Sequence, residues 1–406
     1  MCGAPPGSRP LEGVVVVEIA LWVAGPATAA VLADWGATVV KVEPLGGDPQ
    51  RHLEGLRPPG APAEGGNPTF DVSNRGKRSV AVDLKSDQGR EVVEKLLGQA
   101  DVLVTNMRMP ALARLGLDHE STLGRHPRLV YALMTGYGLR GPHADAPGYD
   151  TGAFWARSGI AASLTVPGGT PPFQRGAMGD RSAAVALAGG VAAALLARER
   201  TGRGQLVSSS LYRWGTYLLA SDLSIALQFG APMATARRDV MASPTVNCYR
   251  CADDRWVWLI GLERDRHWPP LVRAVGRPSW LTDERFATSS ARQQHAQELI
   301  ASLDALFAEK SRAEWLTIFD ECDVWAEPVN TIEDVLVDEQ FLAAGGLVEL
   351  PGTGTLTVNT PLDFGDTPVG PRAAAPALGA QTEDVLSWLG YTPADIETLR
   401  SAGVVG

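Results

Sequence analysis

Asp180 is a lone carboxylate between Gly179 and a run of Ala, Val, Leu and Gly in the stretch "GAMGDRSAAVALAGG", residues 176–190. The run after it predicts a buried helix of small residues, an unfavourable place for an acid. Two kinds of chemistry suit that position. An aspartate at a helix N-terminus accepts hydrogen bonds from free backbone N–H groups, and capping alone accounts for it. On that reading Asp180→Ala costs ~1 kcal/mol of stability. The same geometry also serves a nucleophile. With a reference pKa of roughly 3.9 the side chain is ionised at neutral pH, although solvation makes it unreactive in bulk water. In an apolar cleft, with the helix dipole keeping it charged, it can attack an acyl carbon and form a covalent intermediate. Gly179 and the small residues after Asp180 leave room for a ligand to come close.

Other candidates carry less. "GYGLRG", residues 136–141, matches G-x-G-x-x-G, but that motif grips a pyrophosphate only where a helix opens within it. Pro142 and "HADAPGYD" prevent such a helix, and the first strand-to-helix turn, "LWVAGP", lacks the motif. Glu43 imitates a ribose-binding acid without that support, so no nicotinamide cofactor is expected. The six histidines show no metal spacing, and Cys248 and Cys251 form a lone C-x-x-C, so no metal is expected either. No G-x-S-x-G elbow and no Walker A sequence occurs. Basic residues cluster twice, as Arg75, Lys77 and Arg78 in "NRGKRS" and as Arg108 and Arg114 in "NMRMPALARLG". Guanidinium forks suit phosphate; solvated surface charge is the alternative.

The elements that must position these residues follow from apolar patterning. "GVVVVEI" reads as a buried strand, "ATAAVLADW" as a helix opened by Pro26 and stopped by Gly36, and "ATVVKVE" as a second strand. "KRSVAVDL", a helix from about 86 to 99, "DVLVTN" and "RLVYALMTGYG" continue the alternation. Such alternation predicts a parallel sheet covered on both faces, with ligands at the carboxyl ends of its strands. The loops of interest are then 20–26, 73–78, 106–114 and 136–150. Residues 247–260, "NCYRCADDRWVWLI", read as a hairpin. Two helices follow, the later one opening with a capping box at Ser311 and Glu314. A helix near 381–389 comes close to the end. The expected partition is a large α/β domain over 1–205, a linker over 206–240, a smaller α+β domain over 241–335 and a return segment over 336–406.

The 406 residues exceed one ordinary core, which agrees with two domains. A net charge of −10 disfavours nucleic acid and anionic membrane as partners. Four scattered cysteines (Cys2, Cys248, Cys251, Cys322) do not make a disulfide framework. The N-terminus has no signal-like apolar region, the C-terminus has no retention signal, and no stretch reads as a membrane span of ~20 apolar residues. A cytoplasmic enzyme or binding protein is expected.

Seven stretches, in order, resemble the class III CoA-transferases, the family of formyl-CoA transferase that also holds carnitine CoA-transferases and α-methylacyl-CoA racemase. They are "LEGVVVVEIALWVAGPATAAVLADWGATVVKVEP", "NRGKRSVAVDLK", "DVLVTNMRMPALARLGL", "HPRLVYALMTGYGLRGP", "GDRSAAVALAGGVAAALLARERTGRGQ", "YRCADDRWVWL" and "PALGAQTEDVLSWLG". The resemblance implies a Rossmann-like large domain, a smaller α+β domain, and an interlocked homodimer in which each chain threads through its partner. It implies that Asp180, ahead of Thr201-Gly-Arg-Gly-Gln205, is the nucleophile. It implies CoA contacts at Val23, Ala24, Arg75, Val82, Asp83, Leu84, Lys85, Asn106, Met107 and Arg114. The substrate pocket falls on Trp22, Tyr137, Gly148, Tyr149 and Asp150. The resemblance implies no tightly bound cofactor, with acyl-CoA and a carboxylic acid as the small-molecule partners. The implied reaction is a double displacement through a mixed anhydride and an aspartyl-CoA thioester, needing no ATP.

Departures from the family pattern separate subclasses. Racemase-type members resemble one another in a G-H-D sequence, where this chain has Gly148-Tyr149-Asp150; a phenol of pKa near 10 is a poor base at neutral pH. Oxalate-handling members have glutamine where Val23 stands and a glycine-rich loop absent near 240–262, which makes oxalate an unfavourable acceptor. Pro44 stands where an arginine is expected, and Gln381 interrupts the usual G-E-H-T. An acyl-CoA racemase or a non-catalytic acyl-CoA binding protein is the alternative reading. Trp22 and Val23 as an apolar wall would favour acids less polar than oxalate.

Overall fold

The computed structural model describes residues 8–53 and 66–406; Cys2 lies outside the described residues. Six strands form one sheet: β1 (Val15–Ile19), β2 (Thr38–Glu43), β3 (Lys77–Ala81), β4 (Val102–Thr105), β5 (Val130–Thr135) and β6 (Leu206–Ser210). Their order is β3-β2-β1-β4-β5-β6 with every pairing parallel, the doubly wound Rossmann arrangement. The helices of this unit are α1 (Ala24–Asp34), α2 (Pro68–Asn74), α3 (Asp87–Gly98), α4 (Met109–Arg114), α5 (His119–Arg125), α6 (Ile160–Ser163), α7 (Met178–Thr201), α8 (Leu211–Leu218) and α9 (Ala220–Phe229).

Alternate residues of a strand face opposite ways, and both faces are apolar. Val16, Val39, Val102 and Val130 pack under α1 and α7. Val17, Val40, Leu103 and Tyr131 pack under α3 and the C-terminal helices. The chain clusters into two compact units: one takes in residues up to Ala162, Pro172–Pro232 and Ala343–Gly406, the other Ser163–Pro171 and Met233–Leu342.

Residues 206–240, read as a linker, instead begin with β6 and continue into α8 and α9. "LVSSS" hides its strand because an edge position is half exposed and needs few apolar residues. A second difference concerns α7. By length and composition its 24 residues are apolar enough to cross a membrane, although no stretch read that way from the sequence. Here the helix packs against α1 and buries Ala183, Ala184, Leu187, Ala188 and Val191.

The C-terminal helices α16 and α17 (Thr382–Trp388 and Pro393–Ser401) belong to the large unit's core. The chain around them covers the outer edge of β3. Gln381 donates its backbone N–H to Ser79 O (3.0 Å) and accepts the Ser79 N–H on Oε1 (2.8 Å). Gly406 N–H donates to Ala81 O and Asp83 N–H to Val404 O. Gln381 thus satisfies an exposed strand edge, a role its departure from the family pattern did not reveal.

In the smaller unit β7 (Cys248–Arg250), β8 (Trp256–Leu259) and β9 (Ala326–Pro328) form an antiparallel sheet. The hairpin matches expectation; the third strand was not legible. Helices α10 (Trp268–Ala274), α11 (Ser289–Gln294), α12 (Ala296–Phe307) and α13 (Arg312–Cys322) outnumber the two expected, with α14 (Ile332–Leu336) and α15 (Glu339–Ala343) after them. Ser311 and Glu314 make the anticipated capping box. Trp268, Phe307, Trp315 and Phe319 fill the core.

Candidate active site

Between β1 and β4 the strand order reverses, and there the loops after the two strands splay apart, leaving a crevice at the carboxyl edge. Two adjoining cavities occupy it. One, of about 310 Å³, is lined by Trp22, Val23, Ala24, Asn106, Met107, Gly148, Tyr149, Asp150 and Asp180 among others. The second, of about 360 Å³ and mostly apolar, is lined by Val82, Asp83, Leu84, Lys85, Met107 and Arg114, with Pro44. Leu21, Met107 and Ala111 line both, so the two form one cleft.

Gly179 lets the site close up. A Cβ there would collide with Asp150 Oδ1 and the Phe154 ring. Gly136 and Gly148 likewise cross backbone to backbone, which brings Tyr149 and Asp150 over the cleft. Asp150 begins a π-helical turn, Asp150–Ala156, and its Oδ2 accepts a hydrogen bond from Gln174 Nε2 at 2.7 Å.

Asp180 is the third residue of α7, and the cap position belongs to Ala177, whose side chain makes no capping bond. The capping reading of Asp180 is therefore corrected. Asp150 faces that helix end instead. Its Oδ1 makes no close hydrogen bond, but the N–H groups of Ala177, Gly179 and Asp180 lie near enough to favour its ionised form. Burial nevertheless pushes the Asp150 carboxyl above the usual range. Asp180 is raised further, to about 7, first by burial and then by the charge of Asp150, against a smaller opposing effect of Arg181. Its ionisation is thus not secured by the helix dipole, as the sequence suggested. Desolvation and a like charge leave a carboxyl that changes charge state near neutrality.

Asn106 sits at the crevice but turns its amide to the backbone, accepting Leu21 N–H and donating to Leu21 O. Lys85, Arg108 and Arg114 are exposed and make no ion pair with any described residue. Two expected site residues are not brought to the cleft. Arg75 precedes β3 and so lies at the amino edge of the sheet. It is buried, 2.6 Å from Asp34 Oδ2, and donates to Val358 O. Lys77, from the same basic cluster, is also buried, 2.6 Å from Glu18 Oε2. Tyr137 packs on His143 and Tyr212 rather than lining the cavity. Residues that sequence reasoning missed are Met134, Leu211 and Gln174. Leu211 was hidden because β6 was, and nothing local marks Gln174 as a partner of Asp150.

A doubly wound sheet with a buried carboxyl at its switch-point crevice is the arrangement in which α/β proteins hold ligands at the carboxyl ends of their strands. A model of CoA-transferase family III matches residues 11–382, and the chain belongs to that family. It is 34% identical over 400 residues to (R)-2-hydroxy-4-methylpentanoate CoA-transferase of Clostridioides difficile, covering 97% of this chain and 99% of that one. It is 33% identical to cinnamoyl-CoA:phenyllactate CoA-transferase of Clostridium sporogenes, covering 96% and 95%. Among solved structures it is similar to a CAIB/BAIF family protein from Brucella suis, with a TM-score of 0.83 and 31% identity over 94% of this chain and 100% of that one. The chain is accordingly a transferase of the CoA-transferase class.

Proposed function

We propose that this enzyme moves CoA from an acyl-CoA to a carboxylic acid, with Asp180 as the nucleophile. The observation that carries the reading is a half-buried carboxyl, titrating near neutrality, open to the cleft that continues to Val82–Lys85. In its ionised form Asp180 attacks the thioester carbonyl carbon. The C–S bond breaks and CoA leaves as thiolate, giving a mixed anhydride. The thiolate then attacks the aspartyl carbonyl, releasing the donor acid and leaving an aspartyl-CoA thioester. The acceptor carboxylate attacks this thioester and displaces the thiolate again. The thiolate finally attacks the acceptor's acyl carbon, and Asp180 leaves as carboxylate. Each step exchanges one activated acyl bond for another, so no ATP is consumed.

Lys85, Arg108 and Arg114 offer cations at the rim that pair with no described residue, suited to the phosphates of CoA where Pro44 supplies none. Trp22, Val23, Met107, Met134, Tyr149 and Leu211 give the Asp180 end apolar walls, which suit branched or aromatic acids. The names of the two bacterial relatives agree with that class. The chain also functions as a homodimer on this reading. In support, α9 buries none of its own residues within the chain, and Leu227 and Phe229 are 87% and 72% exposed.

Exchange of CoA between acyl-CoA donors and free acids, followed by mass spectrometry in deuterated water, tests the proposal. Branched or aromatic acids should exceed oxalate as acceptors, with no deuterium entering the α-carbon. Oxalate as best acceptor, or deuterium incorporation without transfer, would contradict it.

A further inference from the structure

Besides Asn106, which lines the cleft, the loop after β1 is held by groups that do not themselves line it. Lys41, in the middle of β2 and fully buried, donates to Ala20 O at 3.2 Å. Its Nζ also lies 2.7 Å from Glu18 Oε1 and 2.9 Å from Asp48 Oδ2, all of them shielded from solvent. Asp48 Oδ1 in turn accepts the N–H groups of Trp22 (3.1 Å) and Gln50 (3.0 Å). Asp48 N–H donates to Glu43 Oε2 at 3.0 Å, which fixes the backbone that carries the carboxylate.

What this arrangement holds is a strained residue. Trp22 has φ +67°, the left-handed region that a bulky side chain rarely adopts. Such a conformation persists only where its surroundings over-determine it. A glycine at position 22 would need no restraint, so the restraint serves the tryptophan. The indole stands edge-on to Tyr149, ring centroids 6.2 Å apart, and the pair walls the cavity that contains Asp180.

We infer that Asp48, anchored by Lys41, is a positioning residue that sets acyl selectivity by holding Trp22 in its left-handed conformation as a fixed wall of the cleft. This rests on the reading of the Asp180 cavity as the acyl end of the site. The Lys41 anchor is kept charged because Glu18 and Asp48 together outweigh the cost of burying it. Asp48→Asn retains an oxygen for the Trp22 N–H but turns an amide NH2 towards the Lys41 ammonium, so the anchor is lost while the bulk is kept.

The test measures binding of phenylacetyl-CoA, acetyl-CoA and free CoA by calorimetry in an Asp180→Asn background, where selectivity does not depend on covalent chemistry. Asp48→Asn and Trp22→Gly should each lower the ratio of phenylacetyl-CoA to acetyl-CoA affinity about tenfold. Free CoA should bind within about twofold of the parent, because the other lobe of the cleft is untouched. Trp22→Gly should also melt higher than Trp22→Ala, since only glycine takes this conformation freely. A general loss of structure would weaken all three ligands alike, and that result would overturn the inference. So would an unchanged affinity ratio, or an alanine variant more stable than the glycine one. If Asp48→Asn does not fold, the Trp22 pair decides alone. Failure of the nucleophile reading is separate: it shows as absence of a covalent adduct in the wild-type enzyme, whatever the binding ratios.

Discussion

Asp180 and Asp150 share one end of a helix, and their closeness makes the charge state of each depend on the other. Because Asp180 must be ionised to attack, kcat/KM should rise with pH through about 7 and level off above it. Asp150→Asn removes the neighbouring charge but keeps an oxygen for the N–H groups of α7. The acidic limb should then move down by about one pH unit, with little change in melting temperature. A limb that stays in place would mean burial alone sets the Asp180 pKa. Stability carries a related signature. Asp180 holds its proton more tightly folded (about 7) than unfolded (roughly 3.9), so its contribution is greatest below about pH 4 and is lost as pH rises through about 7. Asp180→Asn should therefore melt higher than wild type above pH 7 and lose that advantage in acid. A capping role would instead leave Asp180→Asn close to wild type at both ends of the range, because asparagine caps as well as aspartate, and thermal melts at pH 4 and pH 8 decide between them.

At the scale of elements, the start of α7 depends on a close fit of the Gly179 backbone against one carboxylate and one aromatic ring. Gly179→Ala should cost about 1–3 kcal/mol and displace Asp150, since a methyl there meets Asp150 Oδ1 and the Phe154 ring. Denaturant unfolding and the transfer rate should fall together; a variant with normal stability and rate would show that the helix start yields easily. The strands β1 to β5 were legible because each carries a short run dominated by Val, Leu or Ala, although Glu18, Lys41 and the polar start of β3 interrupt it. The edge strand β6 was not, because its serines carry no such signal. The expected cleft residues that follow strand ends, Val23, Ala24, Val82–Lys85, Asn106 and Met107, do meet at one crevice. Arg75 does not, because it precedes its strand and so lies at the opposite edge of a parallel sheet. Charge in a loop-like stretch said nothing about which way it points: Arg75 and Lys77 turn inward to Asp34 and Glu18. The anchor of Trp22 was also invisible, since Lys41 looks like one polar residue in an apolar strand until Glu18 and Asp48 surround it.

Over the whole molecule, two units are interleaved along the chain, and the large unit is closed by its own C-terminus along the edge of β3. Among the described residues none covers α9, which buries none of its own. A second copy is the proposed cover, and light scattering should give twice the mass of one chain, 43.0 kDa. Leu227→Asp with Phe229→Asp should shift the species towards one chain per particle. A monomeric wild type would remove the dimer from the account and leave the cleft as described.

The central claim is that Asp180 becomes covalently joined to its substrate. Incubation of the wild-type enzyme with an acyl-CoA, trapping with hydroxylamine and mass spectrometry of the peptide that contains Asp180 tests it most directly. A hydroxamate at that position, formed only when acyl-CoA is present and absent from Asp180→Ala, is the predicted result. Full CoA transfer by Asp180→Ala, or an unmodified peptide in the turning-over enzyme, would contradict it.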